Sequence, residues 1–130
     1  MNAATEQLVR WVRDDILPPS APEIDVLSLG PPVVIARDSF GNALGGIRLS
    51  QLAVPTATNT GINSPSPFCS LFGTFQQFDP GTLDALYPNH GTYVSQVTHT
   101  THDNLKNGFI VPEDATATVQ EAAQSEIGKK

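Results

Sequence analysis

Charge is scarce in this chain. Of its 130 residues only 15% are Asp, Glu, Lys or Arg, and 7 basic residues face 13 acidic ones, a net charge of −6. So few cations exclude the clustered positive surface that nucleic acid or an anionic membrane requires, and neither is expected as a partner. Cysteine is nearly missing: Cys69 stands alone, which rules out an intramolecular disulfide and a multi-thiolate metal site. Apolar runs last a few residues, far short of the roughly 20 needed to cross a bilayer. No secretory leader precedes the first amphipathic stretch, so a cytoplasmic location is expected. The strained Gly-x-Ser-x-Gly turn that presents a nucleophilic serine is also lacking. Gly41-Asn42-Ala43-Leu44-Gly45-Gly46 lacks the Lys-Ser/Thr of a phosphate loop and precedes no helix, so it reads as a turn. What remains, at this length, is one acidic domain over residues 1–130 with a modest core and no implied cofactor.

Proline and glycine, in contrast, are plentiful, at 11 and 10 residues. Eight of the prolines fall between Pro18 and Pro67, where their missing donors break regular ladders. Residues 18–78 should therefore be irregular, with short strands around Ile24–Leu27 and Val33–Ala36 and a turn at Asp38–Asn42. Thr56 to Pro67 reads as one long polar loop. The two ends are helical. Over 3–17, Leu8, Val9, Trp11, Val12 and Ile16 recur at spacings of three and four, and Pro18-Pro19 stops the pattern. In 79–130 three helices are expected. Asp79-Pro80 opens a short one. Asn89 caps a longer one running to about Lys106, with Tyr93, Val94, Val97, Thr101 and Leu105 facing inward. Asn107-Gly108 ends that helix, and Pro112-Glu113-Asp114 starts the last, whose apolar stripe is Val119, Ala122, Ala123 and Ile127. The expected fold is an irregular α+β arrangement, without the alternating units of a doubly wound sheet.

Few residues offer chemistry. His99, His102 and Asp103 share a helix face at metal-binding spacing, but a structural zinc site takes four ligands, and a solvated polar face is the simpler reading. Cys69, between Phe68 and Phe72, reads as a small buried hydrophobe. His90, at a helix start, is a candidate base or pocket residue, or a ring packed on Tyr87 or Tyr93. Arg48 can grip a carboxylate through two parallel hydrogen bonds, with Asp38 or Asp25 as the internal choices. Thr56 and Thr58 complete the candidate polar lining.

Taken in order, several motifs are familiar: Trp11-Val12-Arg13-Asp14 with Pro18-Pro19, Arg37-Asp38 with Gly41 to Arg48, and Pro55-Thr56-Ala57-Thr58. Phe68-Cys69-Ser70-Leu71-Phe72-Gly73, Leu86-Tyr87-Pro88-Asn89-His90 with Tyr93-Val94, Gly108-Phe109 and Pro112-Glu113-Asp114-Ala115 follow. Together, from about Leu8 to Ile127, they resemble the C-terminal region of a bacterial family of α/β-hydrolase-domain proteins. The resemblance implies that members are several-fold longer, with the hydrolase sheet, nucleophile elbow and catalytic His upstream of this segment. The family's triad therefore maps onto no residue here, and no catalytic residue is assigned. What carries over is position, an extension wrapping a hydrolase core and walling its pocket.

Three functional readings follow. The first is a C-terminal domain or small subunit of an esterase-type serine-hydrolase assembly, structural or pocket-lining and not catalytic alone, whose partner is a larger hydrolase chain. The second is a self-associating binding protein without enzymatic activity, its thin helical stripes covered by a second copy. The third is a small enzyme using His90 and Arg48 beside Thr56 and Thr58.

Overall fold

The computed structural model describes residues 2–63 and 68–129. Ser64 to Pro67, the end of the expected polar loop, and Met1 lie outside the described residues. Among those described there are five α-helices and two two-stranded antiparallel sheets, an irregular α+β fold and not a full α/β-hydrolase sheet. No helix among them is long and apolar enough to cross a membrane. Contacts group the chain into two compact units, Met1–Ala21 with Asp84–Lys130, and Pro22–Leu83.

The first unit is helical. α1 (Asn2–Asp14) ends three residues before the expected limit, because Asp15 takes φ 56° and Pro18 disfavours helical backbone at Leu17. It is strongly amphipathic, yet none of its residues is buried. Its polar side is tied down: Asn2 Nδ2 donates to Asp114 Oδ1 at 2.8 Å, and Gln7 Nε2 to the Gly108 carbonyl at 3.4 Å. Two further helices, α4 (His90–Lys106) and α5 (Pro112–Gln124), pack on each other. Asn89 caps α4, its Oδ1 accepting from the Thr92 amide at 2.8 Å. Beyond Asn107 the Phe109 amide donates back to the Asn104 carbonyl at 2.9 Å, closing the helix. Pro112 occupies the first turn of α5, where no amide donor is needed. Val97, Thr101 and Asn104 are the buried residues of α4, and Ala115 and Ala122 those of α5. The inner face is thus narrower than the sequence pattern: Tyr93, Val94, Leu105, Val119 and Ile127 are half-buried and Ala123 is exposed. Tyr87 is buried against Tyr93, ring centroids 4.9 Å apart in an edge-on arrangement.

The second unit is built on short strands. β1 (Val26–Ser28) pairs with β2 (Val34–Ile35). Immediately inside this hairpin three segments close on one another. The Asp25 amide donates to the Leu44 carbonyl (3.0 Å), the Leu44 amide to Ala36 (2.9 Å), and the Ala36 amide to Asp25 (2.8 Å). Gly45 makes the closure possible. It sits at φ +70°, and a Cβ there would lie 2.4 Å from the Glu23 carbonyl oxygen and 2.6 Å from the Asp25 amide nitrogen. A short helix, α2 (Ser50–Ala53), leads into β3 (Ala57–Thr60), which pairs with β4 (Thr74–Gln77) in continuous register. Residues 57–60 were expected in a loop. They form a strand because partners outside the segment take their polar backbone: Ala57 to Thr60 lie opposite Gln77 to Thr74. α3 (Pro80–Leu86) follows, with Asp79 accepting from the Thr82 amide and hydroxyl at 3.1 and 2.6 Å.

Candidate functional site

The densest polar cluster grows from the turn at Asp38–Asn42. Asp38 Oδ1 accepts from the amides of Phe40 (3.0 Å) and Asn42 (2.9 Å), while the Asp38 amide donates to the Asn42 carbonyl at 2.8 Å. An aspartate able to hydrogen-bond amides two and four residues ahead folds this turn locally. Asn42 then reaches across to β3. Its Nδ2 donates to the Ala57 carbonyl at 3.1 Å, and its Oδ1 accepts from the Asn59 amide at 2.7 Å. The side chain is completely buried, as a carboxamide can be when both ends are paired.

Arg48 closes the other side of the turn. Its Nη2 lies 2.8 Å from Asp38 Oδ2 and 2.6 Å from the Leu52 carbonyl, and Nη1 donates to the Ala43 carbonyl. Asp38, not Asp25, is the carboxylate it grips. Burial acts most strongly on the Asp38 carboxyl and raises its pKa. The Arg48 hydrogen bond and the amides of Asn42 and Phe40 together outweigh burial and hold it below the ordinary carboxylate value. Arg37 donates to the Gly41 carbonyl at 2.7 Å. Thr58 Oγ1 donates to the Phe40 carbonyl at 2.7 Å, the Phe40 ring lies against Phe78 with centroids 5.4 Å apart, and the Thr56 carbonyl accepts from the Phe78 amide. Arg48, Thr56 and Thr58 therefore belong to one neighbourhood of the second unit. What this arrangement does chemically is fix backbone: Arg48 and Thr58 direct their donors at protein oxygens.

His90 belongs to the other unit. Its ring nitrogens face two carbonyl oxygens, Ile127 at 2.8 Å from Nδ1 and Ala123 at 3.1 Å from Nε2. Tyr87 and Tyr93 take each other as aromatic partners. His99 and Asp103 form an exposed pair at 3.4 Å on α4, and His102 is exposed beside them. Among the described residues no group of three or more His, Cys, Asp or Glu converges as a metal site. Cys69 is half-buried rather than enclosed, because Phe68 and Phe72 on either side point their apolar area outward. Among the described residues no hydrogen bond joins a serine hydroxyl to an imidazole. A shallow open groove on α5, lined by Ala117, Gln120, Glu121, Gln124 and Ser125, holds none of the four candidate residues. Sequence reasoning missed Asn42, which it took only as turn chemistry. A carboxamide bridging to a strand that the pattern did not reveal carries no local signal.

Over residues 1–120 the chain matches the family described as alpha/beta hydrolase domain. It belongs to that family, in agreement with the ordered motifs. No curated protein and no solved structure matches it.

Proposed function

We propose that this chain forms the C-terminal part of an esterase-type serine-hydrolase assembly, contributing scaffold and pocket wall while the reacting groups come from a larger hydrolase chain. The observation that carries the reading is α1. An amphipathic helix whose apolar side chains stay outside, with Leu8 55%, Trp11 46% and Val12 80% exposed, is the face of an element made to be covered. The second unit repeats the pattern, with Leu27, Leu29, Phe72 and Phe75 all exposed. Family membership supports the nature of the covering body, and the lack of a Gly-x-Ser-x-Gly turn in the sequence agrees with reacting groups supplied from elsewhere. In this reading Arg48 and Thr58, with Thr56 close by, hold backbone carbonyls within the second unit, His90 sets its ring nitrogens on carbonyls within the first, and none of them attacks substrate.

Purified alone, the chain is expected to hydrolyse p-nitrophenyl esters no faster than buffer. Turnover that persists through purification and disappears when one serine is replaced would overturn the proposal. Co-expression with a family chain bearing Gly-x-Ser-x-Gly should give a stable complex with esterase activity. The same exposed faces also suit a second copy, the self-associating reading. Sedimentation decides between them, a tight homodimer with cooperative melting favouring self-association.

A further inference from the structure

β3 and β4 form a sheet with one edge closed and one bare. Two observations fix which backbone groups face which way. The Phe78 amide donates to the Thr56 carbonyl at 3.0 Å, so position 78 faces β3. Asn42 takes the Asn59 amide and the Ala57 carbonyl, so those two groups turn away from β4. Bonded and non-bonded pairs alternate along an antiparallel ladder. Thr74 and Gln76 therefore bond to β3, while Phe75 and Gln77, opposite Asn59 and Ala57, aim their amides and carbonyls outward. Asn42 closes the β3 edge. On β4 all four residues are exposed, and among the described residues no hydrogen bond reaches those outward groups. A bare edge is a template for another strand, and proteins usually guard it with lysine, proline, a bulge or a charge. Apart from being short, β4 has none of these. Its register is continuous, and residues 49–78 include no Asp, Glu, Lys or Arg.

We propose that a strand of the larger hydrolase chain adds to the outer edge of β4, a docking mode that rests on the assembly proposed above. Backbone donors and acceptors in this alternation fit an extended peptide. The matching segment is uncharged, because a charge laid here would find no counter-ion in the run 49–78. It carries an apolar residue against Phe75 and hydroxyl or carboxamide side chains on the face of Thr74 and Gln76, the cross-strand neighbours these residues favour. Two observations favour the hydrolase chain over a second copy. Each copy carries a net charge of −6, and a net charge far from zero keeps copies apart. The family is described as alpha/beta hydrolase domain, yet the described residues of this chain hold only two two-stranded sheets. In the proposed assembly the main sheet and its strands thus lie in the larger chain. A two-stranded sheet is marginal by itself in water, and a third strand on β4 supplies the neighbour that the bare edge lacks.

The test follows amide hydrogen exchange in the full chain, alone and in complex with the family chain bearing Gly-x-Ser-x-Gly. In the chain alone the Phe75 and Gln77 amides should exchange at nearly the intrinsic rate. In the complex they should slow by about tenfold or more. Gln77→Pro removes an outward donor and no bond to β3, and should weaken the complex about tenfold. Gln77→Ala, which keeps the N–H, should weaken it far less. A complex in which both amides stay fast overturns the added strand and leaves the assembly standing. If no complex forms, the assembly falls and takes this inference with it. Protection that appears in the chain alone and grows with concentration assigns the edge to a second copy, and overturns the inference as well. Exchange in the unaltered chain decides if the proline variant fails to fold.

Discussion

Asn42 holds the 38–42 turn against β3 through both ends of its carboxamide. Replacing it with alanine leaves the Ala57 carbonyl and the Asn59 amide without those partners, and should cost roughly 2–4 kcal/mol in urea unfolding. Asp38 sets a pH dependence. Its carboxyl is held below the ordinary value in the folded chain, so the stability it contributes is fully present above the unfolded value, near about 4. That stability is lost as pH falls through the lower, folded value. Asp38→Asn should flatten the acid limb of a stability-against-pH curve, and Arg48→Ala should destabilise by about 2 kcal/mol. At the alkaline end burial, with a smaller contribution from Tyr93, pushes the Tyr87 phenol up to about 12. Folding favours the neutral phenol, so stability holds below about 10 and is lost as pH rises towards about 12, which absorbance of the ionised phenol should follow. The Arg48–Asp38 pair was legible because charges are so few here that an arginine beside a turn has few carboxylates to choose from. The His90 contacts were not, since they depend on a turn 37 residues away.

At the scale of elements, the terminal helices and the β1–β2 pair were legible, whereas α2, β3 and β4 were not. α3, α4 and α5 begin at Asp79-Pro80, Asn89 and Pro112, where a cap or a proline sets the start from within a few residues. β3 and β4 are short, polar and far apart in sequence, and only their pairing makes them strands. Gly45→Ala tests the closure of the three segments. With a positive φ and the Glu23 carbonyl in the way, it should destabilise the chain by more than about 1 kcal/mol, and hydrogen exchange at the Asp25, Ala36 and Leu44 amides, which bond to one another's segments, should speed up. α1 can be followed by its own probe, because Trp11 is the single tryptophan. Its emission should be red-shifted in the chain alone and move to the blue when a family chain carrying Gly-x-Ser-x-Gly covers that face.

For the whole molecule, the apolar surface is the dominant fact. Exposed Leu, Ile, Val, Phe and Trp side chains occur in both units, and the chain alone should bind the dye ANS, with the signal falling when the hydrolase chain is added. The sequence foretold a thin core because prolines displace regular elements, and it foretold the family from motif order. It did not show which faces stay open, since an amphipathic stripe looks the same whether its cover lies in the same chain or another. The mutual bonding of Asp25, Ala36 and Leu44 has its own consequence. Like three sticks leaning together, no one of the three segments can be withdrawn without loosening the other two. Proteolytic nicking in the exposed stretch 29–33 should therefore leave both fragments associated under native conditions, and a cut at Gly46-Ile47 should not let the flanking pieces drift apart one at a time.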